Sequence, residues 1–134
     1  MLKLPTGNAI CYSGYRRGQS PADGIYPSLD EILQRVKAAV AKAPAGAWIY
    51  GNLGSRGLDD DKATRFTLDA VAAGHPVMLM AWTGHGTLFN TAALRRLQVR
   101  DDEPDPPGGF FVRVPGTRMV TGVAHEYAEY ILRQ

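Results

Sequence analysis

The chain has 134 residues, of which 45% are hydrophobic and 21% charged, with a formal net charge of +2. This length and composition suit one globular domain with a hydrophobic core and exclude a disordered chain. The basic residues are scattered, with Arg16-Arg17 and Arg95-Arg96 as the only adjacent pairs. The sequence therefore lacks the basic stripe of a nucleic-acid-binding surface, and no nucleic-acid partner is expected.

Cysteine content and hydropathy bear on the compartment. Cys11 is the only cysteine, so it has no partner for an internal disulfide, which is compatible with a reducing compartment. The first residues do not form a basic segment followed by an apolar one, and the most apolar run, residues 76–82, is too short to cross a bilayer. We expect a cytoplasmic protein without membrane contact.

The N-terminal part begins with an irregular stretch and continues into a helix. Residues 1–27 are rich in Gly, Pro, Ser and Tyr, and AICYSGY is their one candidate strand. The following stretch, PSLDEILQRVKAAVAKAP, carries Ser28 and Glu31 at the spacing of a capping box, and its apolar residues recur on one helical face. The pattern predicts a helix that ends before Pro44.

The central part alternates strands and helices. AWIYGNL predicts a strand, and the residues around Arg65 to Ala73 predict a short helix after a polar loop. HPVMLMAW is apolar on both faces, which indicates a central strand. After the Gly-His-Gly turn, Asn90 is predicted to cap a helix that runs to about Leu97.

The C-terminal part predicts a loop, a hairpin and a helix. DDEPDPPGG contains three prolines and two glycines, which exclude regular structure. FFVRVPGTRMVTGVAHE alternates around PGTR as a β-hairpin does, and HEYAEYILRQ begins a last helix. The whole order predicts an α/β fold, with α+β as the alternative. We expect a small mixed sheet of about four strands with a C-terminal β-hairpin, packed by three to four helices.

Nucleotide and nucleophile motifs are incomplete. Gly84 and Gly86 are followed by Phe89 where a dinucleotide fingerprint has its third glycine, and that glycine is what lets the helix pack closely on the strand. There is also no P-loop and no G-x-S-x-G elbow, and Cys11 has no histidine near it in the sequence. Neither nucleotide binding nor nucleophilic catalysis is indicated.

Histidines and carboxylates supply the remaining candidates. His75, His85 and His125 form no H-x-H or H-E-x-x-H pattern, so a self-contained zinc site is not predicted. His85 follows the carboxyl end of an apolar strand, where open α/β sheets place their ligand crevices. The alternative for His85 is a purely structural turn residue.

Five landmarks in order carry a resemblance to a known family. They are GAWIYGNLGS, the leucine-aspartate of GLDDD, HPVMLMAWTGHGTLFNTAALRRLQV, the DEPDPPGG loop and the TGVAHE strand. Together they resemble the amidohydrolase 3 family of metal-dependent hydrolases over roughly residues 28 to 130. On this resemblance residues 1–134 form a single domain, with 1–27 as an irregular N-terminal segment and 28–134 as an amidohydrolase-3-like α/β segment.

The resemblance also implies what the chain is not. Family members look like (β/α)₈ barrels whose first metal ligands are the two histidines of an H-x-H pair. This sequence lacks such a pair, and a complete barrel needs about 250 residues. The chain thus resembles the segment inserted after the first barrel strand and not a complete TIM barrel. The remaining barrel is then an expected partner, and a divalent metal such as Zn²⁺ is implied for the parent but not for this segment alone.

Individual residues correspond to the family's motifs. His85 matches the Gly-His histidine, Asn90 the helix asparagine, and Gly122 and Glu126 the T-G-x-x-x-E strand, whereas Thr83 stands where the family has aspartate. The parent chemistry implied is hydrolysis of amide-type C–N bonds by metal-activated water.

The resemblance makes Glu126 and His85 the candidate catalytic residues. Glu126 would contact the metal or the water bound to it, and His85 would donate a hydrogen bond to the substrate or to an oxyanion. The candidate substrate-binding residues are His85, Gly84, Asn90 and Trp82. The segment is expected to form part of a substrate-site wall and to be inactive alone.

Two other functions stay open at this point. The first is a small-molecule or protein-binding module, for which the tyrosines at positions 12, 15 and 26 and the Phe110-Phe111 pair would be contact surface. The second is a structural domain that forms a homodimer through an unpaired edge of its sheet. Neither alternative requires hydrolase activity.

Overall fold

A computed structural model describes residues 10–11, 29–53, 60–72, 74–81 and 86–126. Six strands and three helices lie in these ranges. In chain order they are β1 (Ile10–Cys11), α1 (Leu29–Lys42), β2 (Ile49–Leu53), α2 (Arg65–Ala72), β3 (Val77–Ala81), β4 (Gly86–Phe89), α3 (Thr91–Arg96), β5 (Gly109–Arg113) and β6 (Val120–Glu126).

The strands form one mixed sheet in the order β1-β2-β3-β4-β6-β5. The first three strands are parallel, and β4, β6 and β5 each pair antiparallel with their neighbour. The predicted mixed sheet of an α/β fold is confirmed, and it is open, not a closed barrel. It contains six described strands instead of about four, because both β4 and the two-residue β1 take part.

Strand β4 corrects one expectation. The Gly-His-Gly stretch was expected to lead from a strand straight into a helix, but residues 86–89 pair with β3, with Met78 opposite Phe89 and Met80 opposite Thr87. All four residues of β4 are buried. A run of four apolar or small residues hardly shows the period of a strand, so the sequence pattern assigns residues 86–89 to the turn before the helix that Asn90 caps.

Helix α1 confirms the sequence prediction. Its buried residues are Leu29, Ile32, Val36 and Ala39, which recur at the three- and four-residue spacing of one helical face. Asp30 and Glu31 lie in the first turn and Lys42 in the last, where they complement the helix dipole.

Hydrophobic cores cover both faces of the sheet. On one face, α1 and α2 pack over side chains such as Ile49, Leu79 and Leu88. On the other face, α3 packs with Trp48, Met78 and other side chains of the strands. A sheet covered on both sides explains why β3 reads as a continuous apolar run.

The strand directions bring several strand ends to the same end of the sheet. This end is here called the carboxyl edge. Strands β2, β3 and β6 end there at Leu53, Ala81 and Glu126, and β4 and β5 begin there at Gly86 and Gly109. The connections that follow β2 and β3 therefore leave the sheet from the same edge as the end of β6.

The C-terminal hairpin is confirmed. Strands β5 and β6 are antiparallel, and the turn between them is closed by hydrogen bonds from the Val114 amide to the Met119 carbonyl and from the Thr117 amide to the Val114 carbonyl. The last helix expected from HEYAEYILRQ and the irregular segment expected before residue 28 lie largely outside the described residues. None of the helices described above is long and apolar enough to span a bilayer.

Candidate functional site at the carboxyl edge

Strand register gathers candidate residues at the carboxyl edge. Gly86 at the start of β4 lies opposite His125 of β6, and Glu126 lies opposite Gly109 of β5. His85 directly precedes Gly86 in the sequence. His85, Gly84 and Trp82 themselves lie outside the described residues.

Glu126 ends β6 with an unusual backbone conformation. Its φ of 55° falls in the left-handed region, which a residue with a side chain seldom adopts. The side chain is exposed. Glu126 still pairs with Gly109 of β5, so this conformation lies within the strand pairing at the end of β6.

His125 forms an aromatic pair beside Glu126. The imidazole stacks on the ring of Phe110, its register partner on β5, with 4.9 Å between the ring centroids. Phe110 is 47% exposed. The edge therefore presents a carboxylate next to an accessible aromatic surface.

Asn90 lies at the opposite edge of the sheet. Its Oδ1 accepts hydrogen bonds from the Val77 amide at 2.9 Å and the Ala93 amide at 3.0 Å, and its Nδ2 donates to the His75 carbonyl at 2.7 Å. It lies four positions after Gly86 along the chain, a distance of about 13 Å in a strand. The structure thus confirms Asn90 as the cap of α3 and does not bring it together with Glu126; a substrate contact by Asn90 stays a prediction.

A polar network that the sequence analysis missed lies close to Asn90. The Asp69 carboxylate accepts hydrogen bonds from both the amide and the hydroxyl of Thr91. The Arg65 Nε donates to the same hydroxyl at 3.0 Å, and its Nη1 donates to Asp101 at 2.8 Å. This network joins α2, α3 and the loop that follows α3.

Gly122 owes its place in the T-G-x-x-x-E pattern to close packing. Its φ is +104°, and a Cβ there would lie 2.3 Å from the Phe89 carbonyl oxygen and 3.1 Å from the Arg65 Cβ. The preceding Thr121 donates its hydroxyl to the Val112 carbonyl at 3.1 Å. Both residues of this pair therefore serve the packing of β6 against its neighbours.

A metal centre of the kind implied for the parent family needs several ligating side chains close together. Within the described ranges, no three or more His, Cys, Asp or Glu residues form a group able to hold a metal ion. A catalytic zinc ordinarily takes three protein ligands. These residues do not fit a complete metal centre, and Glu126 offers one carboxylate.

Comparison with known proteins identifies the family. Residues 11–134 match the model of the amidohydrolase family. The chain is 31% identical over 84 residues to the N-substituted formamide deformylase of Arthrobacter pascens, which covers 61% of this chain and 16% of that protein. It is 33% identical over 91 residues to Protein LONG AFTER FAR-RED 3 of Arabidopsis thaliana, covering 64% and 15%.

A solved structure shows the same fold. It is the crystal structure of an uncharacterized metal-dependent hydrolase from Pyrococcus horikoshii OT3, with a TM-score of 0.51 and 20% identity over 79% of this chain and 18% of that one. The chain spans about a sixth of the length of the curated relatives it matches. The resemblance drawn from the sequence is confirmed, and the chain belongs to the amidohydrolase family.

Proposed function

We propose that this chain forms part of the substrate-site wall of a metal-dependent hydrolase acting on amide-type C–N bonds, with the carboxyl edge facing the substrate. The observation that carries the proposal is topological: β2, β3 and β6 all end at this edge, and β4 begins there beside His125. Open α/β sheets bind their ligands outside the carboxyl ends of the strands. The name of the Arthrobacter relative, a deformylase of N-substituted formamides, supports an amide-type substrate.

Two residues have chemical roles in this proposal. His85 would donate a hydrogen bond to the substrate carbonyl, or to the oxyanion that forms from it, where a fixed donor stabilises developing charge. Glu126 would supply one carboxylate contact to the metal, whose other ligands would come from outside the described residues. The left-handed backbone of Glu126 supports a functional role, because such conformations concentrate at functional sites.

The remaining residues of the edge would shape the wall. Trp82 and Gly84 belong to the same connection as His85, and we propose that they contact the substrate beside it. The exposed ring of Phe110 would extend this surface on the other side of Glu126. Exposed apolar surface next to a binding site offers contact to a ligand or to a neighbouring part of the protein.

The first test identifies the native polypeptide. An antibody against this segment would be used to isolate the protein from its native cell, and the mass, metal content and hydrolysis of N-substituted formamides would be measured. We expect a species well above 14.5 kDa with bound divalent metal and measurable hydrolysis. A 14.5 kDa species without hydrolase activity would contradict the proposal.

The second test uses variants of the isolated protein. His85→Ala and Glu126→Gln should each lower kcat/KM by about 100-fold or more, the scale for losing an oxyanion donor or a positioned carboxylate. Lys37→Gln, an exposed change on α1, is the control and should leave kcat/KM unchanged. Unchanged values of kcat/KM in both site variants would contradict a role of the carboxyl edge in the reaction.

The exposed Phe110 also favours a second candidate, a binding module without hydrolase activity. Phe110 lies on β5, the outermost strand at one side of the described sheet, where a free strand edge and an apolar ring offer contact to another chain. Analytical ultracentrifugation would measure the oligomeric state of the 14.5 kDa chain. A dimer that becomes a monomer in the Phe110→Ser variant would favour this candidate.

A further inference from the structure

The DEPDPPGG loop, one of the five landmarks of the family resemblance, leads into a strand at the edge of the sheet. This strand, β5, comes last in the described strand order, and β6 is its one described neighbour. The other side of β5 therefore faces away from the sheet. A strand edge with free amide groups is a template for pairing with another chain, so the partners of these amides decide whether β5 can accept a further strand.

Two amides of β5 donate to this loop instead of to a strand. The Phe111 amide donates to the Asp105 Oδ1 at 2.9 Å, and the Gly109 amide donates to the Pro106 carbonyl at 3.2 Å. Gly109 and Phe111 are two positions apart, and in an antiparallel strand residues at this spacing direct their amides to the same side. Both outward donors at the start of β5 are thus satisfied within the chain.

Arg113 covers the next part of the same edge. Its Nη2 donates to the Asp105 Oδ1 at 2.8 Å, and its Nη1 donates to the Arg118 carbonyl at 2.8 Å. The pairing of β5 with β6 also shifts register between Phe111 and Arg113. A charged side chain and a bulge are two features by which proteins keep an edge strand from pairing. The edge of β5 combines both with the carboxylate of Asp105.

The loop itself is unsuited to act as the next strand. Prolines occupy positions 104, 106 and 107, and proline has no amide hydrogen to donate to a neighbouring strand. The start of the loop is anchored, because the Asp101 carbonyl accepts a hydrogen bond from the Val120 amide at 2.8 Å and the Asp101 carboxylate pairs with Arg65. The loop therefore covers the edge of β5 without offering these donors as a new edge.

We propose that residues 101–108 form an edge cap that keeps β5 from pairing with β5 of a second copy of this chain. Asp105 is central to the cap, because one of its carboxylate oxygens accepts from both the Phe111 amide and the Arg113 guanidinium. The proposal does not rest on the hydrolase function above. It predicts a monomeric chain, whereas the binding-module candidate predicts a dimer, so the oligomeric state separates the two.

The test compares the native 134-residue chain with Asp105→Ala, which removes the acceptor of the Phe111 amide. Analytical ultracentrifugation would measure association, and hydrogen exchange followed by NMR would measure the protection of that amide. We expect the native chain to stay monomeric up to about 0.5 mM and the variant to dimerise with a Kd of about 0.1 mM or below. In the dilute, monomeric variant the Phe111 amide should exchange at least about tenfold faster than in the native chain. Its protection should return in the dimer, where a carbonyl of the second β5 accepts its hydrogen bond.

Two further variants separate edge pairing from a change in charge. Asp105→Asn keeps a side-chain acceptor for the Phe111 amide and should stay monomeric. Asp102→Ala removes an exposed carboxylate of the same loop, which lies 3.8 Å from Arg100, and should also stay monomeric. Urea denaturation would establish that each variant is folded under the conditions used.

Several outcomes would overturn the proposal. They are a monomeric Asp105→Ala variant, a native chain that already dimerises, equal association of Asp102→Ala, and an aggregate in which the Phe111 amide stays unprotected. The native chain also gives a test that needs no variant. A Phe111 amide that exchanges freely in the native monomer would show that the loop does not cover the edge of β5.

Discussion

The guanidinium of Arg65 donates a hydrogen bond across 2.8 Å to the carboxylate of Asp101, a residue 36 positions later in the chain. The two partners differ in environment, because the side chain of Arg65 is 4% exposed and that of Asp101 is 57% exposed. The arginine therefore loses its hydration on folding, whereas the carboxylate largely keeps its own. A buried cation without its anionic partner is costly, so the fold depends on Asp101 more than its exposure indicates.

Asp101→Ala should lower the free energy of unfolding by about 1–3 kcal/mol. The alanine leaves the Arg65 guanidinium with its hydroxyl and carbonyl contacts but without a carboxylate. Urea denaturation of the purified chain would measure the change. Asp102→Ala is the control, because the Asp102 carboxylate lies 3.8 Å from Arg100 with both side chains exposed, and it should cost less than about 0.5 kcal/mol. Equal costs would show that burial of Arg65 does not matter.

Gly122→Ala should destabilise the fold by about 3 kcal/mol or more. The added methyl would meet the Phe89 carbonyl at 2.3 Å, and the φ of +104° disfavours any side chain. Gly116→Ala also places a side chain at a positive φ, +76°, but has nothing within 4 Å of its Cβ position, so it should cost about 1 kcal/mol. Thermal unfolding of both variants would be compared. Similar melting temperatures would mean that the sheet relaxes around position 122.

Asn90→Ala should lower the free energy of unfolding by about 2–4 kcal/mol. The change removes the cap of α3 and leaves the Val77 amide and the His75 carbonyl buried without their partner. Asn90→Asp keeps the acceptor but replaces the donor to His75, so it should also destabilise. In an active parent enzyme, activity that falls only in proportion to the fraction of unfolded protein would identify a structural role for Asn90. A loss of kcat/KM in a fully folded variant would instead support the substrate contact predicted from the sequence.

Local patterns explain why part of this fold was predictable. The capping box of Ser28 and Glu31 and the spacing of apolar residues located α1, and Asn90 located the start of α3. By contrast, β4 is too short to show a period, and the network of Arg65, Asp69 and Asp101 depends on contacts between residues far apart in the chain. Such contacts leave no local pattern in the sequence, since each of these residues, taken alone, is typical of a charged residue on a helix or loop surface.

The candidate site was predictable only in outline. The positional rule for parallel sheets placed His85 at the end of a strand, and the register of β4 and β6 now brings the residue after it opposite His125. The left-handed backbone of Glu126 and the stack of His125 on Phe110 needed the structure, because both depend on how β6 pairs with β5. The sequence pattern predicted the hairpin but not the register of its two strands, which decides which residues lie opposite each other.

Acid should weaken the loop before β5 through Asp105. The Phe111 amide donates a hydrogen bond to its carboxylate, and Arg113 adds an ion pair; both lower the pKa of Asp105 below its ordinary value of 3.8, against the opposing effect of desolvation. A carboxyl whose pKa is lower in the folded state stabilises the fold fully above its unfolded pKa. That stabilisation is lost as the pH falls through the lowered, folded pKa.

Asp105→Asn removes the titrating group while keeping a side-chain acceptor for the Phe111 amide. The native chain should therefore be more stable than the variant at about pH 6, and the difference should shrink at about pH 2. Urea midpoints at both pH values would measure it. Thr117→Ala, which removes the hydroxyl that donates to the Val114 carbonyl but no ionisable group, should give a difference that stays constant with pH. A constant difference for Asp105→Asn as well would mean that the charge of Asp105 adds nothing to the stability of the loop, and that its hydrogen bond to Phe111 is what holds the loop to β5.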